Sequence, residues 1–274
     1  MFTNATVTEI SISNAIYFDM NILIELKKDA DLYKKVKDII SANGFNPVYS
    51  AAHLEEIRNR RDERKSFIKF INQFTNQHAI RGLWQEKPLL FVCEDASHCM
   101  ERVLSDDGDV TTDNVETFDY TYIMGKRNEL HDNSISVEIG NLKPSDIFTD
   151  KRMSCYVEEI EDLMMKLCFA QGYRKGYKYK QLKNKPFQVL EAYVELLMKY
   201  LNIAGYRADK IKCLMHSSTH DISHVHYASV AKVFVTNDKK LIDKASAVYS
   251  YLNIPTEVLP LDDFMVKYGL EHVN

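Results

Sequence analysis

Only five of the 274 residues are cysteines: Cys93, Cys99, Cys155, Cys168 and Cys213. Their number is odd and no two form a C-x-x-C pair, which argues against both a disulfide framework and a thiolate zinc site. Reduced thiols in a cytoplasmic protein are the expectation. Long apolar runs are also missing, and nothing approaches the roughly 20 residues a helix needs to cross a bilayer. The start, MFTNATVTEISISN, has no basic region leading into an apolar core, so neither a secretory signal nor a membrane partner is expected. Positive charge is not in excess: Lys+Arg 35 against Asp+Glu 39 gives a net charge of -4. Any nucleic-acid contact must therefore come from a local patch. Repeats and low-complexity linkers are absent as well. What is present, 45% apolar residues, is enough for a sizeable core in one large domain or in a domain with a big insertion.

The ends of the chain read as alternating strands and helices. Ala15 to Phe18 is apolar and stops at Asp19, after which Met20-Asn21 opens a helical stretch. Leu32, Val36, Ile39 and Ile40 fall at helical spacing, and Gly44 is placed to end that helix. Pro47 to Tyr49 reads as a second strand, with Ser50 capping a helix through Ile57; Glu56 on that helix looks back towards its start. Near the other end, a helix starting at Asp221 precedes the buried strand Val233-Phe234-Val235, and Thr236-Asn237-Asp238 leads into the next helix. Leu241, Ala245, Val248 and Leu252 form its apolar stripe, Thr256 to Leu259 a last strand, and Pro260-Leu261 the start of a terminal helix. Uninterrupted apolar strands suit a parallel sheet covered on both faces, and ligands gather at the carboxyl ends of such strands. Asp19 and Asp238 belong at those ends. Asp221, in the first turn of its helix, is expected to be held ionised by the amide dipoles. Taken singly, each acid has a simpler use, Asp19 as a helix cap and Glu56 as a solvated charge.

Residues 58–202 are mostly helical in pattern. Arg58 to Lys65 is a mixed charged stretch, and Phe67, Phe70, Ile71 and Phe74 keep helical spacing. Leu89 to Cys93 suits an extra strand, and helices are expected over about Cys155 to Ala170 and Pro186 to Leu201. Asp106, Asp107, Asp109, Asp113, Glu116 and Asp119 lie in a segment without Lys or Arg that lacks the pattern of a calcium loop, so it reads as a flexible acidic loop. Residues 173–185 hold six basic residues, no acids and three tyrosines. Tyr173, Arg174, Lys175, Tyr177, Lys178, Tyr179, Lys180, Lys183 and Lys185 suit phosphate neutralisation with base stacking on single strands, or equally a solvated loop.

The pieces around the acids resemble the PIN-domain nuclease family: the strand ending in Asp19 with Asn21 after it, Ser50 to Ile57, Asp221-x-x-His224 leading to Ala228, and Val235-Thr236-Asn237-Asp238-Lys239-Lys240-Leu241. The resemblance covers roughly the first 60 and last 60 residues, with 164 residues between Glu56 and Asp221. It implies a Rossmann-like α/β PIN fold, a central mostly parallel sheet flanked by helices, with a nuclease core over 13–60 and 203–274 and a mainly helical insertion over 61–202. It further implies that Asp19, Glu56, Asp221 and Asp238 form an acidic cluster for one or two Mg2+ or Mn2+ ions, Asp19 and Asp238 as direct ligands, Glu56 and Asp221 at the second ion or its waters. Asn21, Thr236, Asn237 and His224 would stand behind them. Independently, two carboxylates about 4 Å apart repel by about 4 kcal/mol at an effective dielectric near 20, so converging acids need protons or a cation. The implied activity is a metal-dependent endoribonuclease leaving 5′-phosphates, acting on single-stranded RNA or a structured RNA loop. A toxin or defence setting, an antitoxin or other regulatory protein, and self-association follow from family habit.

Other readings stay open. His216, His220, His224 and His226 crowd one segment, and His220-Asp221 with His131-Asp132 invites comparison with HD-type metal phosphohydrolases. Arg127-Asn128-Glu129-Leu130-His131 is similar to the R-N-x-x-x-H motif of HEPN ribonucleases but one residue short. A PIN-like module that binds RNA or a protein without turnover is the non-enzymatic alternative, and Trp84 reads as core. If residues 173–185 guide a strand towards the acids, changing Lys178, Lys180 and Lys183 together to Ala weakens RNA binding and flattens its salt dependence. Filter binding across a salt series checks this, and unchanged affinity and slope refute it.

Overall fold

The computed structural model of the chain describes residues 7–83, 87–105, 138–170, 186–208 and 217–269. Trp84, the acidic segment from Asp106, Arg127 to Asp132, residues 173–185, Cys213 and His216 lie outside the described residues.

A short strand, β1 (Thr8–Glu9), precedes β2 (Ala15–Phe18), which runs parallel to β3 (Asn46–Val48) on one side and β6 (Val233–Val235) on the other. With β7 (Glu257–Leu259) these strands make a four-stranded parallel sheet in the order β3-β2-β6-β7. Tyr17 stands opposite Val48 and Phe234, and Phe18 opposite Val235. Every residue of β2 and β6 is buried, because helices cover both faces and leave no polar side to alternate with. Pro47 has no N–H to give a ladder, and β3, at the end of this sheet, tolerates it.

A second sheet, antiparallel, is made by β1, β5 (Leu90–Cys93) and β4 (His78–Arg81). It joins the first at Tyr49, whose N–H donates to the His78 carbonyl at 3.0 Å and whose carbonyl accepts from Ile80 N–H at 2.7 Å. The sequence reading has no strand at β4. Its pairing depends on Tyr49 and on β5 rather than on any local turn signal.

The helices are α1 (Met20–Lys28), α2 (Ala30–Ala42), α3 (Ala51–Ile57), α4 (Arg61–Thr75), α5 (Ala96–Ser105), α6 (Ser154–Ala170), α7 (Phe187–Ile203), α8 (Ser217–Ala228), α9 (Lys239–Leu252) and α10 (Leu261–Gly269). Gly44, at φ +60, turns the chain out of α2 in the left-handed conformation that glycine takes freely. The expected stripes face inward: Phe67, Ile71 and Phe74 on α4, and Leu241, Ala245, Val248 and Leu252 on α9. Helix α8 begins at Ser217, so Asp221 lies a turn inside the helix and not in its first turn.

Elements between residues 61 and 202 share the core with the rest of the chain. Helix α4 packs on α3 and β3, and α7 packs on α6, α8 and α9. Their buried side chains belong to one hydrophobic cluster with those of β2 and β6. Helix α7 is buried nearly all round from Val189 to Ile203, its polar residues Glu191, Glu195 and Asn202 included, and Lys199 pairs with Glu195. Its start is fixed where Phe187 N–H donates to the Lys87 carbonyl at 2.7 Å and the Phe187 ring lies over Gly82. A Cβ on Gly82 would meet that ring at 2.4 Å. Gly82→Ala is expected to destabilise the protein by about 1–3 kcal/mol through this overlap, measured by urea unfolding.

Candidate functional site

The site begins at the carboxyl end of β2. Asp19 N–H pairs with the Val235 carbonyl at 2.9 Å, and its side chain turns back to cap α1 by accepting from Met20 N–H at 2.7 Å. The second carboxylate oxygen accepts from Thr236 Oγ1 at 2.6 Å and from Asn21 Nδ2 at 2.7 Å. Asp19 is 6% exposed. Burial raises its carboxyl above the ordinary range, against the charge of His224 and the hydrogen bond from Thr236. Thr236 is fully buried and also accepts from Asp238 N–H at 3.2 Å, so it joins the ends of two adjacent strands.

Glu56 arrives on α3, which a buried polar network fixes to β2. Ser50 N–H donates to His53 Nδ1 at 3.1 Å, so His53 Nε2 carries the proton and donates to the Phe18 carbonyl at 2.7 Å. Burial lowers the His53 imidazole to about 3 and keeps it neutral, as that pair of bonds requires. The Tyr17 hydroxyl lies 2.7 Å from Ser50 Oγ and 2.7 Å from His224 Nδ1.

His224, on α8, is the centre of the arrangement. Its Nε2 is 2.5 Å from Glu56 Oε1 and 3.6 Å from Asp19 Oδ1, and its side chain is 1% exposed. Burial alone would push the imidazole down; Asp19, Glu56 and Asp221 outweigh it and push it up to about 9. Burial likewise raises Glu56, but the hydrogen bond and charge of His224 leave it below the ordinary range. A histidinium between two carboxylates thus offsets their repulsion inside the protein.

Asp221, partly buried on the same helix, is pushed up to about 7 by burial and by the charges of Asp238 and Asp19, against His224 and Lys244. The expectation that amide dipoles hold it ionised is corrected: Asp221 lies a turn inside α8 rather than at its start, and burial with the charges of Asp238 and Asp19 dominates. Asp238 is exposed at the start of α9, where its Oδ1 accepts from Lys240 N–H at 2.8 Å and Leu241 N–H at 3.0 Å.

The groups that could hold one ion together are therefore Asp19, Glu56 and His224, whose ligand atoms lie within 4.8 Å of one another. The sequence grouped Asp19 first with Asp238. Asn21 and Thr236 stand behind Asp19 as expected, but Asn237 turns away, donating to Glu25 at 3.2 Å and accepting from Leu261 N–H at 3.1 Å. Of the other crowded histidines, His226 is buried against Phe187 and Tyr227, its imidazole lowered by burial to about 3. Tyr17, Ser50, His53 and Lys244 were given no place in the site by the sequence. Only the residue types Tyr and His inside apolar stretches hinted at buried polar bonds.

Both titrating groups give stability that falls as pH rises. Asp221, raised from 3.8 to about 7, keeps in the folded state a proton the unfolded chain has lost, so stability declines across that interval. His224, raised from 6.5 to about 9, contributes stability that is complete below the lower value and lost through the upper one. Below about pH 6.5 the buried neutral His53 and His226, each lowered to about 3, act in the opposite direction, so the metal-free protein should melt progressively lower from pH 7 to pH 9. Asp221→Asn should recover several degrees at pH 8 and little at pH 4, at about 2–4 °C per kcal/mol. Calorimetry in chelator across this range is the check.

Among the described residues no helix is long and apolar enough to cross a membrane. No family model matches the chain, and neither the curated proteins nor the solved structures give a match, so the reading of the site rests on its own residues and geometry.

Proposed function

We propose that the chain is a metal-dependent ribonuclease with a PIN-like fold, cutting within RNA strands. The observation that carries this reading is the convergence of Asp19, Glu56 and Asp221 at the carboxyl end of a parallel sheet, each within the field of another. Acids so placed suit a divalent cation such as Mg2+ or Mn2+, which favours oxygen ligands. The raised Asp221 marks where added positive charge is most favourable. When bound, such an ion supplies an activated water and charge stabilisation for the leaving oxygen of a phosphodiester.

The chain's own residues supply the rest. Thr236 and Asn21 fix the rotation of the Asp19 carboxylate, and Met20 N–H holds its other oxygen. Tyr17, through His224, sets the position of Glu56. Asp221, on α8 beside Asp19 and Asp238, is placed to accept the proton of the attacking water. The water oxygen bonds to phosphorus as the bond to the 3′ oxygen breaks; that oxygen takes a proton, leaving a 3′-hydroxyl and a 5′-phosphate. RNA as the substrate, and a toxin or defence setting with an antitoxin as partner, rest on the PIN resemblance.

A second reading, a PIN-like binding module without turnover, is favoured by His224 itself, since its charge offsets Asp19 and Glu56 without an ion. Cleavage of end-labelled single-stranded RNA and DNA with Mn2+ or Mg2+, against chelator, separates the two. The nuclease reading expects RNA cut to 5′-phosphate ends, activity at background in Asp19→Asn, and about 10–100-fold lower activity in Thr236→Val at a temperature where that variant remains folded. RNA bound but never cut, or equal cleavage by Asp19→Asn, sinks it.

A further inference from the structure

The geometry points to a mixed nitrogen and oxygen ligand set, Asp19, Glu56 and His224, that selects a first-row transition ion such as Mn2+, Co2+ or Zn2+ over Mg2+. This rests on reading the acids as a cation site and specifies which cation they take.

Three features of His224 carry it. First, Nε2 points between the two carboxylates, 2.5 Å from Glu56 Oε1 and 3.6 Å from Asp19 Oδ1. Ligand atoms around one ion at about 2.1 Å stand about 3 Å apart, so the trio needs only a small outward shift of Glu56, the most exposed of the three. Second, the other ring nitrogen is already engaged. Nδ1 lies 2.7 Å from the Tyr17 hydroxyl, which is 2.7 Å from Ser50 Oγ. With Nδ1–H donating to Tyr17, and Tyr17 donating to Ser50, it is Nε2–H that faces the carboxylates, and loss of that proton to an incoming ion would leave its lone pair aimed between them. Metal-bound histidines are held in this way, the remote N–H donating to a fixed acceptor that sets tautomer and ring orientation. Third, the ring cannot swing aside. It is 1% exposed and packs edge-on against Tyr17 at 5.7 Å and His53 at 5.0 Å.

Imidazole is the discriminating donor. Mg2+ dehydrates reluctantly and takes oxygen ligands in strict octahedral geometry, whereas Mn2+, Co2+ and Zn2+ accept imidazole beside carboxylate. Asp221 and Asp238 stand outside the trio and are left to the substrate side of the ion.

The test is metal binding by the full chain, purified in chelator and then desalted. Titration calorimetry with Mn2+, Co2+ and Mg2+ is expected to give at least about 10-fold tighter binding of the transition ions. Pulsed EPR of the Mn2+ complex is expected to show coupling to an imidazole nitrogen, lost in His224→Gln. Tyr17→Phe keeps the ring and removes the hydroxyl, so it guards against a misfolded His224 variant. It is expected to weaken Mn2+ about 10–100-fold and Mg2+ by less, so that the preference for Mn2+ narrows. Equal affinities for Mg2+ and Mn2+, no nitrogen coupling in wild type, or no binding at millimolar ion overturns the inference. The nuclease reading fails separately: a nitrogen-coupled Mn2+ complex that never cuts RNA removes that reading alone, and RNA cleavage with equal Mg2+ and Mn2+ affinities removes this one alone.

Discussion

The structure depends on one electrostatic contact, the His224 imidazole between Asp19 and Glu56. Two carboxylates within a few ångströms in a half-buried site repel by several kcal/mol, enough to consume much of a protein's net stability. A histidinium there turns that repulsion into two attractions, and Lys244 plays a smaller part beside Asp221. The requirement then spreads outward. His224 must be held by Tyr17, Tyr17 by Ser50, and α3 by the His53 bond to the Phe18 carbonyl. Each link is buried, so each is satisfied only in one arrangement.

Parallel topology explains why the acids meet at all. Strands β2 and β6 run in the same direction and are paired, so their carboxyl ends, Asp19 and Thr236, emerge side by side. Each chain then starts a helix, and a short acid is the natural cap for that start. Asp19 caps α1 and Asp238 caps α9. Structural capping and a charged site are thus the same residues seen from two sides. One Asp19 oxygen serves Met20 N–H while the other serves Thr236 and Asn21. One Asp238 oxygen serves two helix N–H groups.

Much of this was legible in the sequence. Strands buried on both faces announce themselves as apolar runs, and Ala15 to Phe18 and Val233 to Val235 were read without error. The acids stand out in the sequence because Asp19 and Asp238 each follow an apolar strand and Glu56 sits on a helix whose register is plain. What failed was direction and distance. Asn237 was grouped with the site by adjacency to Asp238, yet its side chain links Glu25 to the start of α10. Asp221 was read as the first turn of a helix that begins at Ser217, so its neighbours, not backbone dipoles, decide its charge. Tyr17 looked like one more core aromatic. Its hydroxyl acquires meaning only through a partner 207 residues away. Strand β4 was missed for the same reason, since its pairing is with Tyr49 and β5 and no local pattern encodes it.

Those long separations also decide when the site forms. The bond between Glu56 and His224 spans 168 residues, and α8, which carries His224, packs on both α3 and α7. No partial fold of either end contains the trio, because Asp19 and Glu56 come from the first 60 residues and His224 from α8. When they come together no ion needs to be present, because the chain brings its own cation. His224 therefore answers a folding problem first, allowing Asp19 and Glu56 to be buried together in the metal-free protein. Under the proposed function the same nitrogen then answers a chemical one: when Nε2 gives up its proton, the charge it supplied must be replaced, and the vacated lone pair is itself a ligand for what replaces it. A site built this way stays folded while empty and gains a donor on loading, which a cluster of four acids alone does not do.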